Sequence, residues 1–384
     1  MIIAVDQEIP YWQEALSQLG EIRLFSAREL NPAQIRDVDA LVVRSITPVT
    51  APLLDGSSVR FVAAASAGVD HIDQAYLKDC GIHLSYAAGC NANSVSEYII
   101  TALHVVASRR GWDLKKKSLA VIGVGNVGSR VAKKASALGM QVYLCDPPLR
   151  DSTGDARYQP LDEVIGADIL SFHVPLCSDG PYPTWHMLDR KMLDRLSPRQ
   201  FLLNSSRGAV FDNQELKLAL REKKVSGAVL DVWEEEPRVD FSLLELIDIG
   251  TPHIAGSALD GKIRGTEMVR EELGRFFGIQ SSRLSDSVFP EAKSITPETG
   301  TRSQEAVTSV LMQAFEILKK DAGLRALRSV STGQAEAGFD RLRNERPLRL
   351  EFPHFTVNLE KTHIDLAGAL NALGFKIRMR QVTE

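Results

Sequence analysis

One segment constrains this chain more than any other: LAVIGVGNVGSRVAKKASALGMQVYLCDP, residues 119–147. Gly123, Gly125 and Gly128 stand there in G-x-G-x-x-G spacing. An apolar run, Leu119 to Ile122, precedes them, and a helix-like stretch follows. A second apolar run ends at Asp146, 18 residues past the last glycine. Strand, tight turn, helix, strand and terminal acid within about 30 residues form the unit of a dinucleotide site. The first glycine makes the turn, the second lets backbone approach a pyrophosphate, and the third allows helix and strand to pack closely. The helix N-terminus around Asn126 and Val127 presents N–H groups to the anion. Asp146 is expected to accept from the adenosine ribose hydroxyls and to repel a 2′-phosphate. The expected cofactor is therefore NAD rather than NADP.

The flanking pattern predicts an α/β protein. Apolar runs at 2–5, 22–25, 40–44, 59–66 and 82–86, with helical stretches near 10–19 and 71–81, read as a small flavodoxin-like domain. A long apolar-faced helix from Asn93, stopped by Gly111, leads into the glycine unit. Further strands are expected at 168–173, 200–205, 226–232 and 247–253, with helices at about 188–195 and 213–223. Strands alternating with helices specify a doubly wound parallel sheet of the Rossmann type. A helix over 258–279 returns to the first domain, with Ser257 and Asp260 spaced as a capping box. Beyond about 286 the pattern becomes a small α/β unit: helix 304–321, a basic segment 338–347, strand 353–359, helix 361–374 and strand 375–379. The expected domains are 1–92 with 258–285 for substrate, 93–257 for NAD, and 286–384 for dimerisation.

With 384 residues, two or three cores of this kind fit. The 45 basic and 49 acidic residues leave no field for gripping nucleic acid or a membrane surface. Four cysteines, Cys80, Cys90, Cys145 and Cys177, have no paired ligand spacing, so no metal site is expected. Asp6 and Pro10 interrupt the start too early for a signal-peptide core. No apolar stretch approaches the roughly 18 residues of a membrane span. A cytoplasmic protein is expected.

Ligands of open α/β sheets lie outside the carboxyl ends of the strands. The polar residues expected there, besides the glycines and Asp146, are His173, Arg207, Asp231, Glu236 and His253. One guanidinium, one imidazole and a carboxylate to pair with it suit hydride transfer at a carbon next to a carboxylate. Arg207 would hold the substrate carboxylate or carbonyl oxygen through its planar fork. His253 would take the hydroxyl proton, and Glu236, last of three acids, would orient the imidazole and favour its charged form. Arg44 is a candidate for a substrate phosphate, against the alternative of an ordinary surface arginine. Lys262 and Arg264 are further candidates. The basic run at 341–349 reads as an interface.

Four segments in order resemble the D-2-hydroxyacid dehydrogenases: SAGVDHID (66–73), LSPRQFLLNSSRGAVFD (196–212), DVWEEEP (231–237) and TPHIAGS (251–257). Further segments, VVRSITPVT (42–50), AGCNANSVSEY (88–98), DGPYPTWH (179–186) and GTPHIAGSALDGKIRGTEMV (250–269), narrow the resemblance to a branch with a C-terminal dimerisation domain. That branch acts on a small phosphorylated hydroxy acid. The resemblance implies Arg207, Glu236 and His253 as catalytic residues. It also implies Asp146, Asp231 and Gly256 as NAD contacts, and Ser45 and Ser66 as substrate contacts. Ser66 stands where threonine is common. Ser257 stands where that branch usually has tyrosine, keeping the hydroxyl of a substrate contact but not its reach. The competing readings are a dehydrogenase of D-3-phosphoglycerate or another D-2-hydroxy acid, and an NAD-sensing scaffold. The retained Arg207, Glu236 and His253 argue against the scaffold.

Overall fold

The computed structural model describes residues 1–298, 303–360 and 364–379. It divides into two units, residues 1–91 with 258–291 and residues 92–257 with 292–384. In the first unit, short apolar runs form β1 (Ile2–Asp6), β2 (Glu21–Phe25), β3 (Ala40–Val43), β4 (Phe61–Ala64) and β5 (His83–Tyr86). They pair in parallel in the order β2-β1-β3-β4-β5, the flavodoxin-like order. β3 and β4 are apolar at every position because both faces of the sheet are covered. Leu41, Val43, Val62 and Ala64 pack with Ile35, Leu54 and Leu77 on one face. Val42, Phe61 and Ala63 pack on the other with Leu16, Val269 and Leu273. The last two come from the helix Leu259–Phe277, which Gly278 stops at a φ of 69°. The expected capping box does not form, because the N-cap is Ala258. Asp260 is thereby the second helical residue, whereas the box needs an acceptor at the third.

The second unit contains β6 (Ser118–Ile122), β7 (Gln141–Cys145), β8 (Ile169–Phe172), β9 (Phe201–Asn204), β10 (Gly227–Leu230) and β11 (Ile249–Gly250). This sheet is parallel with the order β11-β10-β9-β8-β6-β7. Outside β7, Tyr158 makes a single parallel bridge to Leu144. That bridge stands where the doubly wound dinucleotide fold has its outermost strand, so the order is the usual one with one strand reduced to a residue pair. The switch point lies between β6 and β8. β11 is shorter than the expected 247–253, because Pro252 and the left-handed His253 (φ 54°) take the chain out of the sheet.

Residues 292–384 supply β12 (Lys293–Ile295), β13 (Phe355–Leu359) and β14 (Lys376–Met379), parallel in the order β12-β13-β14. The expected helix 304–321 is two helices, Ser303–Ala314 and Ile317–Ala326. Phe315 and Ile317 are both buried, and a continuous helix would set residues two apart on nearly opposite faces. The helix Thr332–Arg343 takes up the first part of the basic run. Leu324, Leu327, Ala335 and Phe339 share one core with Phe172, Leu230 and Trp233. The expected helix 361–374 is seen as Leu366–Leu373, and residues 361–363 lie outside the described residues. Among the described residues, no helix is long and apolar enough to cross a membrane and no group of side chains could hold a metal.

Candidate active site

At the carboxyl end of β6 the chain turns through Gly123, whose φ of 85° is a conformation that side chains resist. A Cβ there would also stand 2.7 Å from the His173 carbonyl. Gly125 is the N-cap of the helix Asn126–Ala137, and among the described residues beyond its neighbours in the chain a Cβ on it would meet no atom within 4 Å. Gly128 is the opposite case, because its Cβ would lie 1.9 Å from the Gly123 carbonyl oxygen. The first-turn N–H groups of Asn126, Val127 and Gly128 have no acceptor within the helix. With the helix dipole behind them they form an open cradle that fits a pyrophosphate.

Asp146 follows β7 beside this turn. Its Oδ2 accepts the Val124 N–H at 2.7 Å and its Oδ1 accepts the Leu149 N–H at 3.0 Å. The carboxylate thus holds the glycine loop and caps the helix Pro147–Thr153. A carboxylate offers about four acceptor sites, so ribose hydroxyls remain within its capacity. His173, just past β8, pairs through Nε2 with the Ser171 hydroxyl at 2.8 Å, while its buried Nδ1 meets no partner among the described residues. Burial pushes this imidazole down to about 3, so it is neutral.

The carboxyl ends of β9, β10 and β11 carry the other candidates. The Asn204 side chain accepts from the Ser206 N–H at 3.0 Å and the Ser206 hydroxyl at 2.8 Å, and its amide donates to the Arg207 carbonyl at 2.9 Å. The loop bearing Arg207 is therefore pinned. Arg207 donates through Nη1 to the Ser206 carbonyl at 2.9 Å. A Cβ on the next residue, Gly208, would stand 2.0 Å from the Trp233 carbonyl, so only glycine lets this loop lie against the Trp233–Glu236 turn.

Each of the three consecutive acids has its own partner. Glu234 pairs with His186 Nε2 at 2.5 Å, and Glu235 with Arg238 at 2.6 Å on the surface. Glu236 Oε1 meets His253 Nδ1 at 2.5 Å. Burial raises the Glu236 carboxyl, but the hydrogen bond and charge of His253, with Arg343 behind it, outweigh burial and hold it below the ordinary carboxylate range. Arg343 Nη1 is 3.9 Å from Oε1.

Asp231 is fully buried. Its carboxylate accepts from the Thr251 hydroxyl at 2.6 Å and from the N–H groups of Ile254 and Ala255, both at 2.8 Å. This geometry makes Asp231 a brace for the loop that carries His253. Gly256 lies in the turn that the Ser257 N–H closes on the Ile254 carbonyl at 2.8 Å.

In the first unit, Arg44 and Ser45 follow β3 and Ser66 follows the neighbouring β4. Ser45 is exposed, and the Ser66 hydroxyl donates to the Gly68 carbonyl at 3.1 Å. Arg44 donates through Nε to the buried Asp6, which ends β1, at 2.7 Å. Arg264 turns to the Cys90 carbonyl at 2.7 Å.

Sequence reasoning did not single out Asn204, Thr251 or Trp233. The indole of Trp233 donates to the Thr251 carbonyl at 3.0 Å. All three lie inside the quoted segments, but their work is to hold backbone, which carries no local signature.

Residues 97–255 match the family model described as the NAD binding domain of D-isomer specific 2-hydroxyacid dehydrogenases. The chain is 40% identical over 378 residues to the erythronate-4-phosphate dehydrogenase of Escherichia fergusonii, covering 98% of each chain. The Escherichia coli protein of the same name is similar to the same degree, 40% over 98% of each. Among solved structures, the D-lactate dehydrogenase of Aquifex aeolicus, complexed with NAD and lactic acid, superposes with a TM-score of 0.60 at 25% identity. That match covers 72% of this chain and 96% of the other. The chain therefore belongs to the D-isomer specific 2-hydroxyacid dehydrogenases, within the erythronate-4-phosphate dehydrogenase family.

Proposed function

We propose that this chain oxidises 4-phospho-D-erythronate to 2-oxo-3-hydroxy-4-phosphobutanoate with NAD as acceptor, in vitamin B6 biosynthesis. The observation that carries the reading is the Glu236–His253 pair, 2.5 Å apart, at the end of the sheet that also carries the glycine cradle. Bound NAD supplies the acceptor for the hydride leaving C2. His253 donates from Nδ1 to Glu236, so Nε2 is the nitrogen that takes the hydroxyl proton. Glu236, held ionised, stabilises the imidazolium that results. Arg207 grips the substrate carboxylate with its fork. Asp146, the 123–128 loop and Gly256 hold NAD, and Asp231 serves through the His253 loop. Ser45, Ser66 and Ser257 are proposed to bond the substrate. Arg44, with Nε fixed on Asp6, offers its Nη groups to the phosphate.

We also propose a homodimer formed through residues 292–384, which expose Met312, Val330, Ile364 and Met379. None of the chain's four cysteines is in a disulfide, in keeping with a reducing cytoplasm. The test is initial rates with NAD on 4-phosphoerythronate, 3-phosphoglycerate and D-lactate, alongside His253→Ala. The expected results are preference for the first and a loss of roughly 10²–10⁴-fold in the variant. Equal or better rates on 3-phosphoglycerate would transfer the assignment to that substrate.

A further inference from the structure

The loop bearing His253 is braced from two sides. Asp231 takes the N–H groups of Ile254 and Ala255, and the carbonyl of Ala255 points the other way, to Arg349. Arg349 donates through Nη2 to this carbonyl at 3.1 Å and to the Ser94 carbonyl at 2.6 Å. Its Nη1 meets Glu97 Oε2 at 2.9 Å, and the guanidinium lies over the Phe315 ring at 4.6 Å from the centroid. One planar fork therefore joins the first turn of the helix Ala92–Arg110, the His253 loop and the C-terminal segment.

The anchor of that fork is itself built in. Glu97 is fully buried, and its Oε1 accepts from the Phe352 N–H at 2.9 Å and the Asn93 amide at 3.0 Å. Asn93 and Ser94 also donate to Glu351, at 2.8 Å and 2.5 Å, and Lys134 donates to the Asn93 side-chain oxygen Oδ1 at 2.7 Å. Two carboxylates and two cations thus meet inside the unit, drawn from residues 93–97, Lys134 and 349–352, and the network reaches the His253 loop through Ala255. A buried network of this kind costs desolvation and can often be replaced by apolar packing without loss of stability. Stability alone therefore does not explain it, whereas its contact with Ala255 does.

We propose that Arg349, fixed by Glu97, is a positioning residue for proton transfer. By holding the Ala255 carbonyl it sets His253 against Glu236, so that the C-terminal segment forms part of the catalytic apparatus. The inference rests on His253 being the proton-transfer group.

Arg349→Lys keeps a cation for Glu97, but a point donor cannot reach Glu97, Ser94 and Ala255 together. The expected result is a fall in kcat of about 10–100-fold, the cost of a misplacement near 1 Å. The KM for 4-phosphoerythronate and the NADH dissociation constant should stay within about threefold, because uniform binding is untouched. The acid limb of the pH–rate profile should move as the Glu236–His253 contact relaxes. The double variant Glu97→Gln/Arg349→Met, which neutralises the pair with groups of similar size, should fold and be as slow as Arg349→Lys.

Wild-type kcat and pH profile in either folded variant overturn the inference, as does failure of both to fold, which would leave the network a purely structural one. A His253→Ala control separates the two levels. If it keeps turnover, the proton-transfer reading itself fails. If it loses turnover while Arg349→Lys does not, only the present inference fails.

Discussion

Asp231 holds the backbone N–H of Ala255 at 2.8 Å, two residues past the catalytic candidate His253. Both its oxygens are occupied by donors, the other two being the Thr251 hydroxyl and the Ile254 N–H. Asp231→Asn must turn an NH₂ group toward at least one of them. Turnover should fall by about 10²-fold, as for a displaced catalytic group, while NADH binding measured by fluorescence changes little. The reverse pattern, weak NADH binding with normal turnover at saturation, would make Asp231 a cofactor ligand instead.

The glycines separate folding from binding. Gly125→Ala adds a methyl that meets no other described residue beyond its neighbours in the chain within 4 Å, so it should fold, with only the modest fall in melting temperature that alanine costs at an N-cap. The methyl occupies the room proposed for the pyrophosphate, and NADH affinity should drop at least about tenfold, the equivalent of about 1.4 kcal/mol. Gly128→Ala forces a Cβ to 1.9 Å from the Gly123 carbonyl and should destabilise the unit itself. Unfolding curves and NADH titrations of the pair check the contrast. Normal NADH binding by Gly125→Ala would remove the cradle from the cofactor site.

Asp146 carries two duties, and two substitutions tell them apart. Asp146→Asn keeps an acceptor for the Val124 N–H but loses the charge, so the preference for NAD over NADP should narrow with modest loss of NAD affinity. Asp146→Ala also releases the loop and should weaken both dinucleotides. Dissociation constants for NADH and NADPH decide it. An unaltered ratio in both variants would take Asp146 out of the discrimination.

Burial raises the Glu97 carboxyl to about 7, with Arg349 opposing it. The folded chain then keeps a proton that the unfolded chain has already released, so this group's stabilisation is complete below the ordinary glutamate range and is lost as pH rises through about 7. Glu97→Gln lacks that loss. Its melting temperature relative to wild type should climb between about pH 5 and pH 8. A constant difference across that range in thermal unfolding would show that Glu97 titrates alike in both states.

The homodimer proposal is tested without removing the C-terminal segment, whose Leu324 and Phe339 belong to the core of the second unit. Ile364, with 65% of its surface exposed, is placed where a charge costs the monomer little. Ile364→Asp should shift sedimentation toward monomer if that surface lies at the interface. A fully dimeric variant, with Met312→Asp and Val330→Asp equally dimeric, would place the interface outside this segment.

Periodicity and turn chemistry alone determined much of this protein. The parallel strands of the two larger sheets, the 123–128 turn with Asp146 at the next strand's end, and the ordering of Arg207, Glu236 and His253 along the chain are local or short-range features. A strand buried on both faces must be apolar throughout, and a backbone cradle must be glycine, so each leaves a mark in consecutive residues. Of the three adjacent acids the sequence already pointed to Glu236, the one before Pro237; the tertiary structure gave each acid its partner, His186 for Glu234, Arg238 for Glu235 and His253 for Glu236. It decided that Asp231 faces inward to brace a loop, and that the helix expected at 304–321 breaks so that Phe315 and Ile317 can both be buried. It alone joined Arg349 to Glu97 and Ala255, residues 252 and 94 positions away. Hydrogen-bond partners so distant in sequence have no periodicity to read; they exist only once the packing of the intervening helices has set the distances.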